Sequence, residues 1–365
     1  MAGSQLTSYP YLSYFTHQLY FHFNGVGFAP ILVIVFGLKW VVGTIGVIAN
    51  ADLIYVTIKH NSLHSACNYL LAINAFFNLL YQTNHIIPFV ISILGINFVS
   101  LPMCFYLQVY GIYALHTNLG VSLSIGFDRL LSVAFITWQR KLTTYYTSYY
   151  ISAILTICSV YGLYIVFLCV QVELALPNMP VLCSASDCYQ LQLGTLVPIM
   201  ASIFISCNVC CYVSVWILLI GGAIKRHRLK EAFSGSSIRI YKSLTVIMFV
   251  EIVGYLSNYV ARLFLLPQLH LSAINGFYVA SAFSILTNLG MASNAFILYT
   301  FSREYNRVFK LQFRFIAEKF GCATTITTTA AGLIHVHHSN ISTIRANSTS
   351  HNQIVTSSRN KFELH

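Results

Sequence analysis

Charged residues are what this sequence has least of. Asp, Glu, Lys and Arg make up 8% of its 365 residues, where a soluble domain carries about a quarter. Acids are the scarcer sign, 9 against 20 Lys and Arg. With 57% hydrophobic residues and a mean hydropathy of +0.70, the chain cannot clothe a soluble fold in polar surface. Other absences narrow the function. There is no Gly-x-Ser-Gly nucleophile segment and no His-Glu-x-x-His, so neither a serine nucleophile nor a zinc-peptidase site is expected, and an enzyme is disfavoured. Internal repeats, broken helices and rings of charge, the usual marks of transporters and channels, are missing. The dense histidine group His335-Val336-His337-His338 falls in a polar tail and reads as a solvated run. No metal site and no cofactor is expected. The N-terminus lacks a basic stretch followed by an apolar one, so the first membrane helix is expected to direct insertion.

What the sequence does contain is long apolar runs. Seven are visible, at about 29–58, 68–94, 101–135, 149–170, 191–224, 239–266 and 274–300. Each is near the roughly 20 residues that cross a hydrocarbon core. The expected fold is an all-α membrane protein, a seven-transmembrane helix bundle with a short amphipathic interfacial helix after the seventh span. This divides the chain into an extracellular N-terminus (1–28), a seven-span domain (29–300), an amphipathic juxtamembrane helix (301–322) and a Ser/Thr/Asn/His-rich cytoplasmic tail (323–365) that reads as disordered. In 301–322, Tyr305, Val308, Phe309, Phe313, Ile316 and Phe320 form one apolar stripe flanked by basic residues, as a helix lying in the interface requires.

Basic residues set the orientation. Eighteen of the 20 Lys and Arg fall in the alternate loops and the tail that would share one side, including six between Lys225 and Lys242. The outer segments 1–28, 95–100 and 171–190 hold none. The net charge of +11 therefore belongs to a surface facing the inner leaflet, and nucleic acid is not an expected partner. The two remaining cations, Lys39 and Arg262, lie within apolar runs, as does Glu251. Charges at such depth are rare enough to merit mutation.

The third run carries the sharpest signal. Cys104 stands at its outer start and Asp128-Arg129 near its inner end, 25 residues on, a helical rise of about 37 Å. Rhodopsin-like receptors show the same spacing between a half-cystine and an Asp-Arg-Tyr motif, written here Asp128-Arg129-Leu130. The seventh run ends Ser293-Asn294-Ala295-Phe296-Ile297-Leu298-Tyr299, similar to an Asn-Pro-x-x-Tyr ending with Ala295 for Pro and Tyr299 one place late. The stretches Cys67–Ala75 and Ser124–Val133, with Ser302-Arg303-Glu304-Tyr305, resemble the nematode serpentine chemoreceptors of the Srsx class. The resemblance spans roughly residues 40–320 and weakens in helices four to six. The sixth run lacks the usual Trp and Pro, leaving Phe249 and Tyr255 as nearest equivalents of its rotating aromatic.

The resemblance implies a receptor that binds a small extracellular ligand (odorant, pheromone or peptide-like) and activates a heterotrimeric G protein through the inner ends of helices three, five and six. Asp128 would restrain Arg129 at rest, as an exposed pair contributing at most about 1 kcal/mol, and Leu130, Asn294 and Tyr299 would share the coupling region. Cys104 would form a disulfide with Cys183, or alternatively Cys188. Cys158, Cys169, Cys207, Cys210 and Cys211 read as small packing residues. Asn50 and Asn78 would join an interhelical polar network, with Asp52 adding an acid nearby on another face of its helix. Asn78 stands where an Asp is usual, so bound sodium is not expected. Cys322 is a candidate for palmitoylation. The implied location is the plasma membrane, the sensory cilium included. A polytopic transporter or channel is the alternative.

The ligand is least legible. Gln108 to Asn118 holds no acid, which disfavours an amine, and 274–300 holds no Lys for a retinal Schiff base. His85, Tyr110, Gly111, His116, Asn258 and Tyr278 are the candidates to line an outer cavity.

Overall fold

The computed structural model describes residues 18–135, 146–226, 246, 249–250, 252–269 and 271–319. Helix starts are set locally. Pro30 and Pro102, each at the start of a helix, give up an N–H that has no intrahelical partner there. Ser65 and Ser272 cap by accepting the N–H groups of Asn68 and Asn275. The first span is Pro30–Lys59, the third Leu101–Ala134, the fourth Thr147–Ala175 and the fifth Leu193–Arg226.

The other three spans are interrupted, each for a local reason. The second is two helices, Ala66–Thr83 and Ile86–Ile93. Pro88 lacks an N–H, and its ring would clash with the carbonyl of Asn84, so the helix breaks at Asn84-His85. The sixth, described in part, contains a π turn at Ala261–Leu265 just before Pro267. The seventh is Ala273–Ala292 and Asn294–Phe301, bent by 43° at Ser293. There the Ser293 hydroxyl donates to the Gly290 carbonyl at 2.7 Å, and its N–H is shared between the Leu289 and Gly290 carbonyls. This hydroxyl-assisted bend stands where the motif lacks proline.

The third span is central, packed on the second, fourth and fifth, while the first packs on the second and seventh. Leu32, Phe36, Lys39, Gly43, Gly46, Asn50 and Leu53 are buried on one face of the first span. Ile34, Leu38, Val41, Ile45 and Ile48 form its other face and are about half exposed or more. Bulky apolar belts of this kind recur on the fourth and fifth spans, at Ile157, Leu163 and Phe167 and at Ile203, Val213 and Ile217. Apolar outside and amide-rich inside is the arrangement lipid requires. Among the described residues, three helices and the bent seventh pair are long and apolar enough to cross a membrane by length and composition alone. The break in the second span and the amides of the third explain why sequence pattern reads more spans than that test passes.

One face of the bundle is capped. Residues 18–23 are helical, and Leu19 and Phe23 pack against Leu32, Phe36, Leu182 and Phe277. Asn97, at a φ of 56°, donates to the Phe23 and Gly27 carbonyls and pins this segment. Two short strands, β1 (Val99–Ser100) and β2 (Pro180–Val181), pair antiparallel beside it. The 3-10 turn Ala185–Cys188 then folds inward over the bundle. At the opposite, tail face the helix Arg303–Lys319 returns along the first span. Cys322, Phe320, the tail, Glu251 and the basic stretch Arg228–Lys242 lie outside the described residues, as do the side chains of Lys225, Arg226 and Ile316.

Candidate functional site

A cavity of about 190 Å³ lies beneath the capped face. Its walls come from spans one, two, three, five, six and seven and from the inward-folded loop. His85 and Asn258 line it, as expected from the sequence. The other four candidates do not. Tyr110 points away from the bundle, 39% exposed. Gly111 leaves room for the Asn84 side chain, which a Cβ there would overlap, rather than for a ligand. His116 is buried below the cavity, its Nε2 2.9 Å from the Tyr189 hydroxyl. Tyr278 packs in the apolar cluster under the N-terminal segment. Tertiary folding supplies other lining groups: Lys39, Tyr81, Gln108, Asp187, Tyr189 and Arg262. Lys39 and Arg262 stand out in the sequence as the two cations outside the basic face. Asp187 carried no signal, because loop position alone does not say that a loop turns inward.

Asp187 stabilises that loop. Its carboxylate accepts the Ser184 backbone N–H at 3.0 Å and closes the turn Ala185–Cys188. Burial pushes the Asp187 carboxyl above its ordinary range, opposed by that hydrogen bond and by the charges of Lys39 and Arg262. Gln108 donates to the Cys183 carbonyl at 2.7 Å, tying the third span to the same loop. Cys104, Cys183 and Cys188 are each at most 2% exposed and share one apolar cluster with Cys169. All four are thiols in this structure, with Cys104 neighbouring both Cys183 and Cys188.

Beneath the cavity the spans are joined by amides. Asn50 Nδ2 donates to Gln82 Oε1 at 3.1 Å and to the Met291 carbonyl at 3.3 Å. Gln82 Nε2 donates to the Asn288 carbonyl, and His85 Nε2 lies 2.9 Å from Asn288 Oδ1. A second branch runs from Asn294 Nδ2 to Asn74 Oδ1, which also accepts from Asn78 Nδ2. Asn118 Nδ2 then donates to Asn78 Oδ1 at 2.9 Å and contacts the Tyr255 hydroxyl at 3.3 Å. Spans one, two, three, six and seven are thus linked through neutral side chains. Gly46 makes one approach feasible, since a Cβ there would overlap the Gln82 carboxamide.

Asn50 and Asn78, expected in such a network, lie in it; Asn294, expected in the coupling region, lies in it too, and Asp52 does not. It faces the tail-face helix and accepts a hydrogen bond from Gln312. Asn74, Gln82, Asn118 and Asn288 were missed. A signal existed for two of them: Asn74, Asn78 and Gln82 recur every four residues, one stripe on an apolar helix. Of the sixth-span aromatics, Tyr255 is buried in the network, while Phe249 is 65% exposed and faces outward.

At the tail face, Arg129 Nη2 lies 3.9 Å from Asp128 Oδ2, and Tyr150 donates to Asp128 Oδ1 at 3.1 Å. Asp128 is 1% exposed and Arg129 11%. The expectation of an exposed pair is therefore wrong, because the fourth span covers the acid. Leu130 beside it is half-buried. Tyr299 also departs from expectation. It is 38% exposed and packs on Phe309 and Phe313 of the tail-face helix, and its carbonyl accepts from Asn306. Tyr305 takes the inward place, its hydroxyl 3.2 Å from Thr57 Oγ1. The apolar stripe of that helix splits accordingly, with Tyr305, Val308 and Phe309 buried on the first span and Phe313 exposed.

A bundle with apolar belts, a capped cavity at one face and a buried Asp-Arg pair at the other is a multi-pass seven-helix membrane receptor in architecture. The family described as serpentine type 7TM GPCR chemoreceptor Srsx matches residues 43–313, and the chain belongs to it. That is a family of chemoreceptors, not of enzymes, and it works with ligands and G proteins in a membrane. No curated protein matches the chain.

Proposed function

We propose that this protein detects a small extracellular molecule in its capped cavity and passes the signal to a heterotrimeric G protein at the tail face. The observation that carries this reading is that buried amides beneath the cavity, one set of which meets its lining at His85, link five spans. Neutral amides exchange partners without creating a buried charge, so they suit a bundle with two packings close in energy. An agonist acts by fitting one packing better. Asp128, held by Tyr150, restrains Arg129 in the resting packing. In the active packing Arg129 turns to the G protein, with Leu130 and Asn294 moving beside it.

The capped face is then extracellular, at the plasma membrane and in sensory cilia where the receptor is delivered there. Cys104 on the oxidising side pairs with Cys183, or with Cys188, which is also its neighbour. Palmitoylation of Cys322 would further fix the tail face to the bilayer.

The test is nucleotide exchange on purified Gα, with the full-length receptor reconstituted in vesicles and challenged with extracts rich in small metabolites. Exchange that depends on receptor and extract, without solute or ion flux through the same vesicles, supports the proposal. Flux without exchange would make the chain a transporter or channel instead.

A further inference from the structure

Lys39 and Arg262 come from the first and sixth spans, 223 positions apart in sequence, and line the same cavity. Lys39 is 7% exposed. Its ammonium lies over the Phe36 ring at 5.6 Å. Arg262 sits on the π turn and donates from Nε to Asn258 Oδ1 at 3.2 Å, which leaves the rest of its guanidinium fork available. Among the described residues no carboxylate comes within salt-bridge distance, 4.0 Å, of either cation. Asp187 is the acid lining the cavity, and its carboxylate is committed to the Ser184 N–H. Two cations face one acid, so the lining carries net positive charge in a setting of low dielectric. Like charges there repel more strongly than in water, and neither touches an acid among the described residues.

Much of the rest of the lining is apolar or aromatic, including Phe36, Phe98, Leu115 and Phe277, beside neutral polar groups such as Gln108, Gln190 and Ser284. At about 190 Å³ the space is smaller than the roughly 300–1,000 Å³ of drug-sized pockets. The surface thus asks for one compact negative group on a short hydrophobic body, and it repels an amine.

We propose that the ligand of this cavity is a small amphipathic anion, a carboxylate or sulfate ester, with Lys39 and Arg262 as its counter-ions. Calling that anion an agonist rests on the receptor reading; its binding does not.

Hexanoate, hexyl sulfate and 3-phenylpropanoate, each beside its matching alcohol and amine, are suitable probes. The full-length protein in phosphatidylcholine nanodiscs is heated with each at up to about 10 mM, where even a millimolar Kd registers. At least one anion should raise the unfolding midpoint saturably, and the alcohols and amines should not. Lys39→Met keeps the length of the side chain and removes a buried charge, so the unliganded variant should unfold at a higher temperature than wild type. Its anion affinity should nevertheless fall at least tenfold, a combination that a structural role for Lys39 would not produce. Arg262→Gln should weaken the same anion, and Asp187→Asn, which still accepts the Ser184 N–H, should strengthen it several-fold. Adding phosphatidylglycerol to the discs separates the sources of the anion: competition would identify a lipid headgroup held by the same two cations. The proposal is overturned if no anion shifts the midpoint, if alcohols or amines do so equally, or if the Lys39→Met, Arg262→Gln double variant responds like wild type. Anion binding without nucleotide exchange would leave this site standing and remove the receptor reading. Exchange evoked by a neutral ligand would do the reverse.

Discussion

Asp128 is the residue whose surroundings differ most from what its motif suggests. It is covered by the fourth span and held from two sides, by the Tyr150 hydroxyl and by Arg129. Removing Arg129 would therefore leave a buried carboxylate with less compensation, which is more costly than losing a surface pair. Arg129→Ala should abolish nucleotide exchange and also lower the yield of folded receptor, whereas Arg129→Gln should abolish exchange with yield nearer wild type. Asp128→Asn should raise basal exchange by freeing Arg129. Tyr150→Phe removes one hydrogen bond to a charged carboxylate, about 1.5–3 kcal/mol, so it should raise basal exchange by roughly tenfold or more. Basal exchange in membranes matched for receptor content measures all four. A Tyr150→Phe variant as silent as wild type would show that the hydroxyl does not restrain the pair.

At the scale of elements, the interruptions in the second, sixth and seventh spans set which side chains meet. Breaking the second span at Asn84-His85 turns the Asn84 amide toward Gln108 and brings His85 to Asn288. Gln108 in turn holds the loop at Cys183. Pro88 is thus coupled to the cavity roof through two side chains, Asn84 and Gln108. Pro88→Ala restores the N–H that lets the helix run on, and should pull Asn84 from Gln108. Disulfide trapping between Asn84→Cys and Gln108→Cys reports this directly: its yield should drop several-fold when Pro88→Ala is added. An unchanged yield would mean that the loop, not the proline, sets the break. The tail-face helix is anchored differently, by Gln312 to Asp52 and Tyr305 to Thr57. These ties attach it to the first span, which an apolar stripe alone does not reveal.

For the whole molecule, orientation is the claim with the widest consequences. On the proposed orientation, with the basic residues and the tail inside, the sequons Asn340-Ile341-Ser342 and Asn347-Ser348-Thr349 should stay unglycosylated in protein expressed in animal cells. The same orientation puts Cys104 in the oxidising compartment, so peptide mapping without reduction should find it linked to Cys183 or Cys188. Glycan on either tail sequon, or a free Cys104 thiol in surface receptor, would reverse the reading of which face meets the ligand.

The sequence by itself determined the spans, the expected sidedness and the family. Each depends on composition over a run of twenty residues or on a motif within one helix, and neither needs contacts to be legible. That Leu32, Phe36, Lys39, Gly43, Gly46, Asn50 and Leu53 share one face of the first span follows from helical period alone; that this face is the buried one does not. The tertiary structure decided what those helices share. Lys39 and Arg262 read as isolated oddities until the first and sixth spans close on one cavity. Asp52 reads as an acid added near the polar network until the returning helix claims it through Gln312. Gly111 reads as space until Asn84 fills it. In each case the deciding contact joins residues distant in sequence, and periodicity within one helix carries no information about which partner will face it.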